Sequence, residues 1–541
     1  MQSNYVDQCN ELQIHGLVIF FFIPMVKHFF TFVTMKYILP FILIVLTISA
    51  CKRSAHSPIP ASHDYCHLLT GTQPHLTDEI KNVDSLVRNG KTGVYILEEG
   101  SDAITSRANL SQSAQETMDI QYFIFSEDNI GTISCDYMLR AACRGVKVRV
   151  IVDDLLVDTD HNYILALNQH ENVEIKIYNP NINIGKNMVF TLFKATTDFR
   201  GINQRMHHKT YIVDGQVAIT GGRNIADEYF DFDHEYNFRD RDVLLVGGQA
   251  TEIQDAFDEY WDSELSVSVS ELIEYSSKDY DPFIVYKYIY DYSNDSLNFW
   301  PKIRNYIPFA MATVINSEDF HWVDHLQFVS DEPGKNDGFE GLEGGGNTTT
   351  ALVDLVNHAK SEIYIQSPYL IVSDLGYNLF KRAVERGVDV YILTNSLAST
   401  DNLEAFNGYQ RNRQRLLDAG VHLYEYKPDA AIRKDLMTGD LQKNLDFVPV
   451  FGLHAKSMVV DDSISVVGTF NLDPRSANLN TECITILSEP VINSKMKDIM
   501  KEELEAQNAW HVIPGSNPDG KAGRWKRFKA WTKGVVPVSV L

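Results

Sequence analysis

The sequence lacks the patterns that mark several common classes of protein. Its cysteines form no Cys-x-x-Cys pair and no cysteine–histidine spacing typical of a metal site; they are Cys9, Cys51, Cys66, Cys135, Cys143 and Cys483. We therefore predict neither a disulfide framework nor a zinc site. Positive charge is scarce as well, because 48 Lys and Arg residues stand against 72 Asp and Glu residues, a net charge of −24. Affinity for DNA or RNA comes mostly from Lys and Arg at phosphates, so this balance argues against a non-specific nucleic-acid-binding protein.

The amino terminus is poor in charge and rich in apolar residues. Residues 1–50 hold only four charged side chains, two of each sign, and the apolar run 37–50 follows Lys36. A basic start, about 10–14 apolar residues and small residues before a cleavage site are typical of a secretory signal, whereas a membrane-spanning helix needs ~20 residues. We therefore interpret residues 1–50 as a targeting segment.

The end of that run, Ile48-Ser49-Ala50-Cys51, resembles the lipobox of bacterial lipoproteins, whose cysteine is lipidated and becomes the first residue. The resemblance implies an exported protein of the bacterial cell envelope, bound to a membrane through a lipid on Cys51. An uncleaved N-terminal membrane anchor is the alternative. The sequence leaves open whether translation starts at Met1 or Met35.

Four sequence elements recur in the same order along the 541 residues. The pairs are 118–125 with 361–370, 139–154 with 380–395, 173–180 with 421–428, and 207–224 with 454–471, at offsets of 242 to 248 residues. Such agreement indicates an internal duplication, and the alternation of strand and helix patterns predicts an α/β fold. A glycine-rich, acidic stretch at 330–347 marks the break. The predicted parts are a targeting segment at 1–50, a linker at 51–84, a first domain at 85–335, and a second domain at 336–541 that ends in a basic tail.

Each half contains a histidine and a lysine two residues apart on a predicted strand. These are His207 with Lys209 and His454 with Lys456. Side chains at i and i+2 of a strand point to the same face, so each half presents an imidazole and an ammonium group together. A turn and a second strand follow, which predicts a hairpin that ends near Asn224 in one half and Asn471 in the other.

This set of groups fits the cleavage of a phosphodiester. That reaction needs a nucleophile, an acid for the leaving alkoxide, and positive charge at the phosphoryl oxygens. Two histidines supply the first two roles, and two lysines with two asparagines supply the third. No cluster of carboxylate ligands accompanies the motifs, so we predict a site without metal or cofactor.

The doubled HxKxxxxD pattern resembles the phospholipase D superfamily. The resemblance implies two duplicated domains, each a mixed sheet flanked by helices, with the active site at the pseudo-two-fold interface. In that family one histidine attacks phosphorus to form a phosphohistidine, and the other acts as general acid and then as base. By this resemblance His207 is the nucleophile and His454 the acid and base, although the residues alone permit the reverse.

In that family a downstream acid orients each histidine. Asp240 matches this position in the first half and Glu482 in the second, with Asp242 as a competing candidate in the first half. A carboxylate beside a histidine fixes its tautomer and raises its basicity. The motif aspartates Asp214 and Asp461 lie past the strand, out of reach of a group at the histidines, and we interpret them as structural.

Stretches outside the motifs resemble bacterial cardiolipin synthases, especially the C-type group. The likeness covers about residues 85–541 and includes ILTNSLASTDNLEAFNGYQRNRQRLLDAGVHLYEYKP at 392–428. It implies that a donor phospholipid, phosphatidylglycerol or phosphatidylethanolamine, gives its phosphatidyl group to a second phosphatidylglycerol and forms cardiolipin.

Three alternatives remain open at this point. The lipobox is not expected across the C-type group, which leaves room for an exported, hydrolytic phospholipase D that forms phosphatidic acid. A nuclease is weaker because of the net charge, and no nucleic acid is expected as a partner. A catalytically inactive binding protein is weaker still, because the set of motif residues is complete.

The basic tail predicts contact with a membrane surface. Residues 521–533, KAGRWKRFKAWTK, hold six basic residues, three aromatic residues and no acidic residue. Lys and Arg attract anionic lipids, and Trp prefers the membrane interface. An ordinary solvated helix is the alternative interpretation.

Overall fold

The computed structural model describes residues 65–68, 75–76, 80, 84–154, 161–180, 199–273, 281–336, 344–437 and 449–533. The predicted targeting segment, Cys51 and most of the linker lie outside the described residues. Apart from Phe199, the elements below belong to one compact unit, Ala61–Lys186 with Arg200–Leu541. Within the described ranges, no helix is both long and apolar enough to cross a membrane.

The strands are β1 (Thr92–Leu97), β2 (Thr117–Tyr122), β3 (Lys147–Asp153), β4 (Val173–Tyr178), β5 (Thr210–Val213), β6 (Val217–Gly221), β7 (Tyr236–Arg239), β8 (Asp242–Gly247), β9 (Ser266–Ser268), β10 (His321–Val323), β11 (Leu326–Ser330), β12 (Glu362–Gln366), β13 (Asp389–Asn395), β14 (His422–Tyr426), β15 (Val450–Leu453), β16 (Lys456–Val460), β17 (Ile464–Gly468), β18 (Cys483–Leu487) and β19 (Ala509–Val512). They form two large mixed sheets, in the orders β10-β1-β8-β6-β5-β2-β3-β4-β9 and β11-β18-β17-β16-β12-β13-β14-β19. A small parallel pair, β7 with β15, joins the two halves.

The α-helices are α1 (Asp84–Arg88), α2 (Gly100–Ser113), α3 (Asn129–Cys143), α4 (His161–Asn168), α5 (Phe199–Asn203), α6 (Gly248–Asp262), α7 (Val269–Leu272), α8 (Pro282–Asn294), α9 (Pro301–Tyr306), α10 (Ala310–Ile315), α11 (Asn347–His358), α12 (Asp374–Glu385), α13 (Leu403–Asp418), α14 (Arg433–Leu436), α15 (Pro474–Asn478), α16 (Pro490–Glu503) and α17 (Arg524–Thr532). Short 3-10 turns lie at Cys66–Leu68, Asp227–Tyr229, Ile307–Phe309 and Pro518–Lys521.

The two sheets repeat one arrangement, which confirms the predicted α/β fold with mixed sheets flanked by helices. Strands β2, β3 and β4 are parallel neighbours with the antiparallel hairpin β5–β6 beside them, and β12, β13 and β14 have the hairpin β16–β17. One apolar cluster contains side chains of both hairpins, among them Ile212 and Val459, so the sheets share a core. The first sheet ends at Val323 and the second begins at Leu326, before the boundary predicted at 335.

One sequence prediction is wrong: the structure contains a disulfide bond, between Cys66 and Cys143. It ties the start of the described chain to the end of α3. The spacing rules address cysteine pairs close in sequence, whereas these two are separated by 77 residues and meet only in the folded chain.

Candidate active site

Each motif histidine is attached by its backbone to the other half of the chain. The His207 N–H group donates to the Thr481 carbonyl oxygen at 2.9 Å, and the His454 N–H group donates to the Arg239 carbonyl oxygen at 2.8 Å. Both imidazoles line one cavity of about 670 Å³. The duplicated hairpins therefore converge on a single site, as the pseudo-two-fold prediction requires.

The acids that orient the histidines are exchanged between the halves. Nδ1 of His207 lies 2.8 Å from Oε2 of Glu482, and Nδ1 of His454 lies 2.6 Å from Oδ2 of Asp240. An assignment of each acid to the histidine of its own half, which sequence order favours, is therefore wrong. The reason is the backbone pairing above, because Thr481 directly precedes Glu482 and Arg239 directly precedes Asp240.

The competing candidate, Asp242, does not contact a histidine. Its carboxylate pairs with Arg107 at 2.8 Å and with Arg223 at 3.5 Å, inside the first half. Asp240 instead has room beside a glycine, since a Cβ atom on Gly222 would lie 2.0 Å from its Oδ1 atom. Gly222 is therefore required for the approach of Asp240 to the cavity.

In the second half the orienting acid, Glu482, is positioned by a hydroxyl group and not by a glycine. Thr469 occupies the position that matches Gly222, and its hydroxyl donates to Oε2 of Glu482 at 2.5 Å. The same oxygen of Glu482 lies 2.8 Å from Nδ1 of His207, so both Thr469 and His207 hold this carboxylate in place.

The motif lysines lie against their histidines. The ammonium group of Lys209 donates to the His207 carbonyl oxygen at 2.8 Å. The ammonium group of Lys456 lies 2.9 Å and 3.0 Å from the two ring nitrogens of His454 and 2.5 Å from its carbonyl oxygen. Both lysines are buried, so each histidine of the cavity has a buried ammonium group beside it.

The motif asparagines also reach the cavity wall. Oδ1 of Asn224 accepts a hydrogen bond from the Ile124 N–H group at 3.1 Å. Oδ1 of Asn471 is buried and has no hydrogen-bond partner among the described residues. A buried polar atom without a partner is costly, which fits a site that receives a polar ligand.

Burial sets the protonation states of the histidines and lysines of the site. It lowers the pKa of His207 to about 4 and that of His454 to about 3, and it lowers the pKa of Lys209 to about 8 and of Lys456 to about 7. Burial alone would raise the pKa values of the acids, but charge and hydrogen bonds from the histidines and lysines hold both below their usual range. An anionic ligand would stabilise the protonated bases and raise their pKa values again.

Further acidic and aromatic side chains that the sequence analysis did not single out line the same cavity, among them Glu228, Asp401, Asp473 and Tyr369. Burial raises the pKa of Glu228 and of Asp473 to about 7, and the Tyr369 hydroxyl donates to Asp401 at 2.7 Å. Their positions in the sequence could have indicated two of these residues. Asp473 closely follows the motif residue Asn471, and Asp401 lies in the segment 392–428.

The motif aspartates lie away from the cavity. Asp214 accepts hydrogen bonds from the N–H groups of three consecutive residues, Gln115, Glu116 and Thr117. Asp461 repeats these contacts at Lys360, Ser361 and Glu362. Each aspartate joins the turn of its hairpin to the start of the neighbouring strand.

One group of potential metal ligands gathers within the described ranges: Cys66, Cys143 and His170. Its sulfur atoms are joined in the disulfide bond, whereas zinc binds thiolates. The group therefore does not fit a zinc ion in this state.

A duplicated α/β framework with two histidine–carboxylate pairs at one cavity defines a phospholipase D-like protein. The family model described as "Cardiolipin synthase, PLD-like domain" matches residues 108–261 and 352–504. These segments make up more than half of the chain, and the chain belongs to this family.

Individual relatives agree with the family match. The chain is 32% identical to an uncharacterized protein of Helicobacter pylori over 78% of this chain and 81% of that protein. It is 31% identical to cardiolipin synthase C of Escherichia coli over 81% of this chain and 88% of that enzyme. The crystal structure of phosphatidylserine synthase from Haemophilus influenzae superimposes with a TM-score of 0.52 at 12% identity, over 86% of this chain and all of that one, and supports the fold alone.

Proposed function

We propose that this protein is a phosphatidyltransferase that forms cardiolipin from phosphatidylglycerol and a phosphatidyl donor. The observation that carries the proposal is the pair of histidine–carboxylate contacts at one cavity, with a buried lysine beside each histidine. Membership of the cardiolipin synthase family and the likeness to cardiolipin synthase C support the choice of substrate.

The first step forms a covalent intermediate. Nε2 of His207 attacks the phosphorus of the donor lipid and forms a P–N bond, while the P–O bond to the headgroup alcohol breaks. His454 gives its proton to that leaving oxygen. Because Glu482 accepts from Nδ1–H of His207, the lone pair of the imidazole is on Nε2, the atom that attacks.

The second step transfers the phosphatidyl group. His454 takes the proton from the terminal hydroxyl of phosphatidylglycerol, the hydroxyl oxygen attacks phosphorus, and the P–N bond breaks to release cardiolipin. Lys209 and Lys456, with Asn224 and Asn471, stabilise the charge on the phosphoryl oxygens in both steps. Attack by water instead would release phosphatidic acid.

The acidic part of the cavity wall supports phosphatidylethanolamine as donor. Glu228 and Asp401 offer carboxyl groups in the wall of the cavity that His207 and His454 line, and an ammonium headgroup would complement them. The same wall, with the net charge of the chain, disfavours a polyanion such as nucleic acid.

The membrane is the proposed docking surface, through α17. Trp525, Phe528 and Trp531 are exposed on this basic helix, and their rings contact one another in sequence. Lys526 donates to the carbonyl oxygens of Ala398 and Thr400, next to the cavity residue Asp401. A helix in this position would hold the membrane interface near the cavity.

Export and lipidation at Cys51 complete the proposal. The disulfide between Cys66 and Cys143 supports an oxidising compartment, because disulfides are rare in the reducing cytosol. Radioactive palmitate labelling that is lost in Cys51→Ser tests lipidation, and thiol trapping in intact cells tests the disulfide. An unlabelled wild-type protein with free Cys66 and Cys143 thiols would contradict export with a lipid anchor.

The substrate is tested with purified protein and defined lipids. Phosphatidylglycerol is supplied alone and with phosphatidylethanolamine, and the products are separated by mass. Cardiolipin in either mixture supports the proposal, and a higher yield with phosphatidylethanolamine supports it as donor. Phosphatidic acid without cardiolipin identifies a hydrolase instead.

A further inference from the structure

An apolar cavity lies beside the motif lysine of the second half. It occupies about 110 Å³ between the second sheet and the helices α11 and α12. Lys456 forms part of its wall, and Asp473 lines both this cavity and the active-site cavity. Leu375 of α12 lines the cavity and is 56% exposed, so the cavity reaches the surface at this residue.

The duplication allows this cavity to be compared with the matching region of the first half. Gly221 lies opposite Asp242 on β6 and β8, and Gly468 lies opposite Ile484 on β17 and β18, so the two strand pairs have the same register. The helices α2 and α11 end alike, two residues before their contacts with the motif aspartates. The matching positions are therefore Arg107 with Leu352, Arg223 with Phe470, Asp242 with Ile484, and Tyr211 with Met458.

In the first half these positions hold a buried polar cluster. Arg107 pairs with Asp242 at 2.8 Å and donates to the Tyr122 hydroxyl at 3.1 Å. Arg223 donates to the carbonyl oxygens of Leu97 and Glu98. Long, fully hydrogen-bonded side chains fill the space between helix and sheet.

In the second half the four matching positions carry apolar side chains, and the space is left open. Leu352, Phe470, Ile484 and Met458 all line the cavity, and Leu352 and Phe470 are only half-buried. An apolar cavity offers water few hydrogen-bond partners, so it favours an apolar occupant. Asn471 lies between Phe470 and Leu472, so one short segment lines the active site and this cavity at once.

We propose that this cavity holds part of an acyl chain of the phospholipid whose phosphate lies between His207 and His454. The inference rests on the proposed function, because that function supplies a substrate with both groups. The cavity would position the phosphorus by holding the chain and would make turnover depend on chain length.

Photochemical cross-linking tests this with the wild-type protein. Phosphatidylglycerol that carries a diazirine in one acyl chain is irradiated with the enzyme, and the modified peptides are identified by mass spectrometry. Cross-links in α11 or α12 support the inference. Cross-links only elsewhere, in protein that still forms cardiolipin, overturn it and leave the proposed function intact. Absence of any phospholipid turnover in folded protein overturns the proposed function instead.

A variant that fills the cavity gives a second measurement. Leu352→Trp should lower kcat/KM for phosphatidylglycerol with hexadecanoyl chains by about tenfold or more, since burial of each methylene favours binding by about fourfold. The kcat/KM for the butanoyl analogue should fall much less, because its short chain gains little from the cavity. Leu355→Trp is the matched control, because Leu355 is half-buried on the same helix but does not line the cavity. Equal loss with both substrates in Leu352→Trp, at an unchanged melting temperature, contradicts the inference.

Discussion

His454 and Asp240 belong to different halves of the chain, yet Nδ1 of the histidine lies 2.6 Å from Oδ2 of the acid. His207 and Glu482 repeat this relationship at 2.8 Å. In both cases a backbone hydrogen bond to the residue before the acid fixes the approach. The geometry of the site therefore depends on how the two halves meet.

Asp240→Asn should change His454 and leave His207 unaffected. An amide cannot hold the imidazole in the same way, and loss of the orienting acid in a comparable triad lowers kcat by about 10⁴-fold. We expect a fall in kcat of roughly a thousandfold or more. Nitrogen-15 NMR of labelled histidines should show a shifted Nδ1–H signal for His454. Asp262→Asn, exposed at the end of α6 and outside the cavity lining, serves as control. A shift of the His207 signal in Asp240→Asn would refute the exchanged pairing.

The two histidines should have separable roles. His207→Ala should form no phosphoenzyme, whereas His454→Ala should form one slowly from a diester with a good leaving group and then retain it. Overall turnover should fall by at least about 10⁴-fold in each, as for other catalytic units whose members act together. Alkaline quenching and mass spectrometry detect phosphohistidine. Accumulation on residue 454 in His207→Ala would reverse the assignment of nucleophile and acid.

The pH profile of the affinity for an inert phosphodiester, measured by calorimetry, should have an alkaline limb, because an anionic ligand stabilises the protonated bases. The affinity should fall above about pH 7 to 8, where buried Lys456 and Lys209 lose their protons. It should increase below about pH 4, where His207 gains a proton and a positive charge. Lys456→Arg keeps the positive charge and should move the alkaline limb upward. An alkaline limb that does not respond to this change contradicts the role given to Lys456.

Asp461→Ala should lower stability more than it lowers catalysis. The carboxylate accepts from the N–H groups of Lys360, Ser361 and Glu362, and each of these solvent-accessible hydrogen bonds contributes about 1 kcal/mol. We expect the free energy of unfolding to fall by about 2 to 4 kcal/mol, measured by urea denaturation. Turnover by the folded fraction should stay near that of the wild type. A full loss of activity without loss of stability would place Asp461 in the chemistry.

Much of the fold could be predicted from the sequence, because the duplication repeats the same pattern of elements in both halves. The two hairpins, the α/β alternation and one shared site all follow from elements at a nearly constant offset. The exchange of Asp240 and Glu482 was not readable, because it depends on contacts between segments more than 200 residues apart. The disulfide between Cys66 and Cys143 was not predicted either, because its cysteines are 77 residues apart and meet only in the folded chain.

The residues that line the rest of the cavity show the same limit. Glu228 and Asp401 stand in recognisable stretches, but only the folded chain shows that burial raises their pKa values beside the histidines. The sequence likewise did not show that Arg107 and Leu352 occupy equivalent positions in the two halves. That equivalence can be seen only when the helices and strands of the two halves are compared in the structure.

The exchange of acids has a consequence for inheritance. A substitution that removes Asp240 disables the imidazole encoded far downstream, and one that removes Glu482 disables the imidazole encoded upstream. We therefore expect that neither copy of the duplicated unit can lose its acid without disabling the other copy, so the two copies are constrained to evolve together.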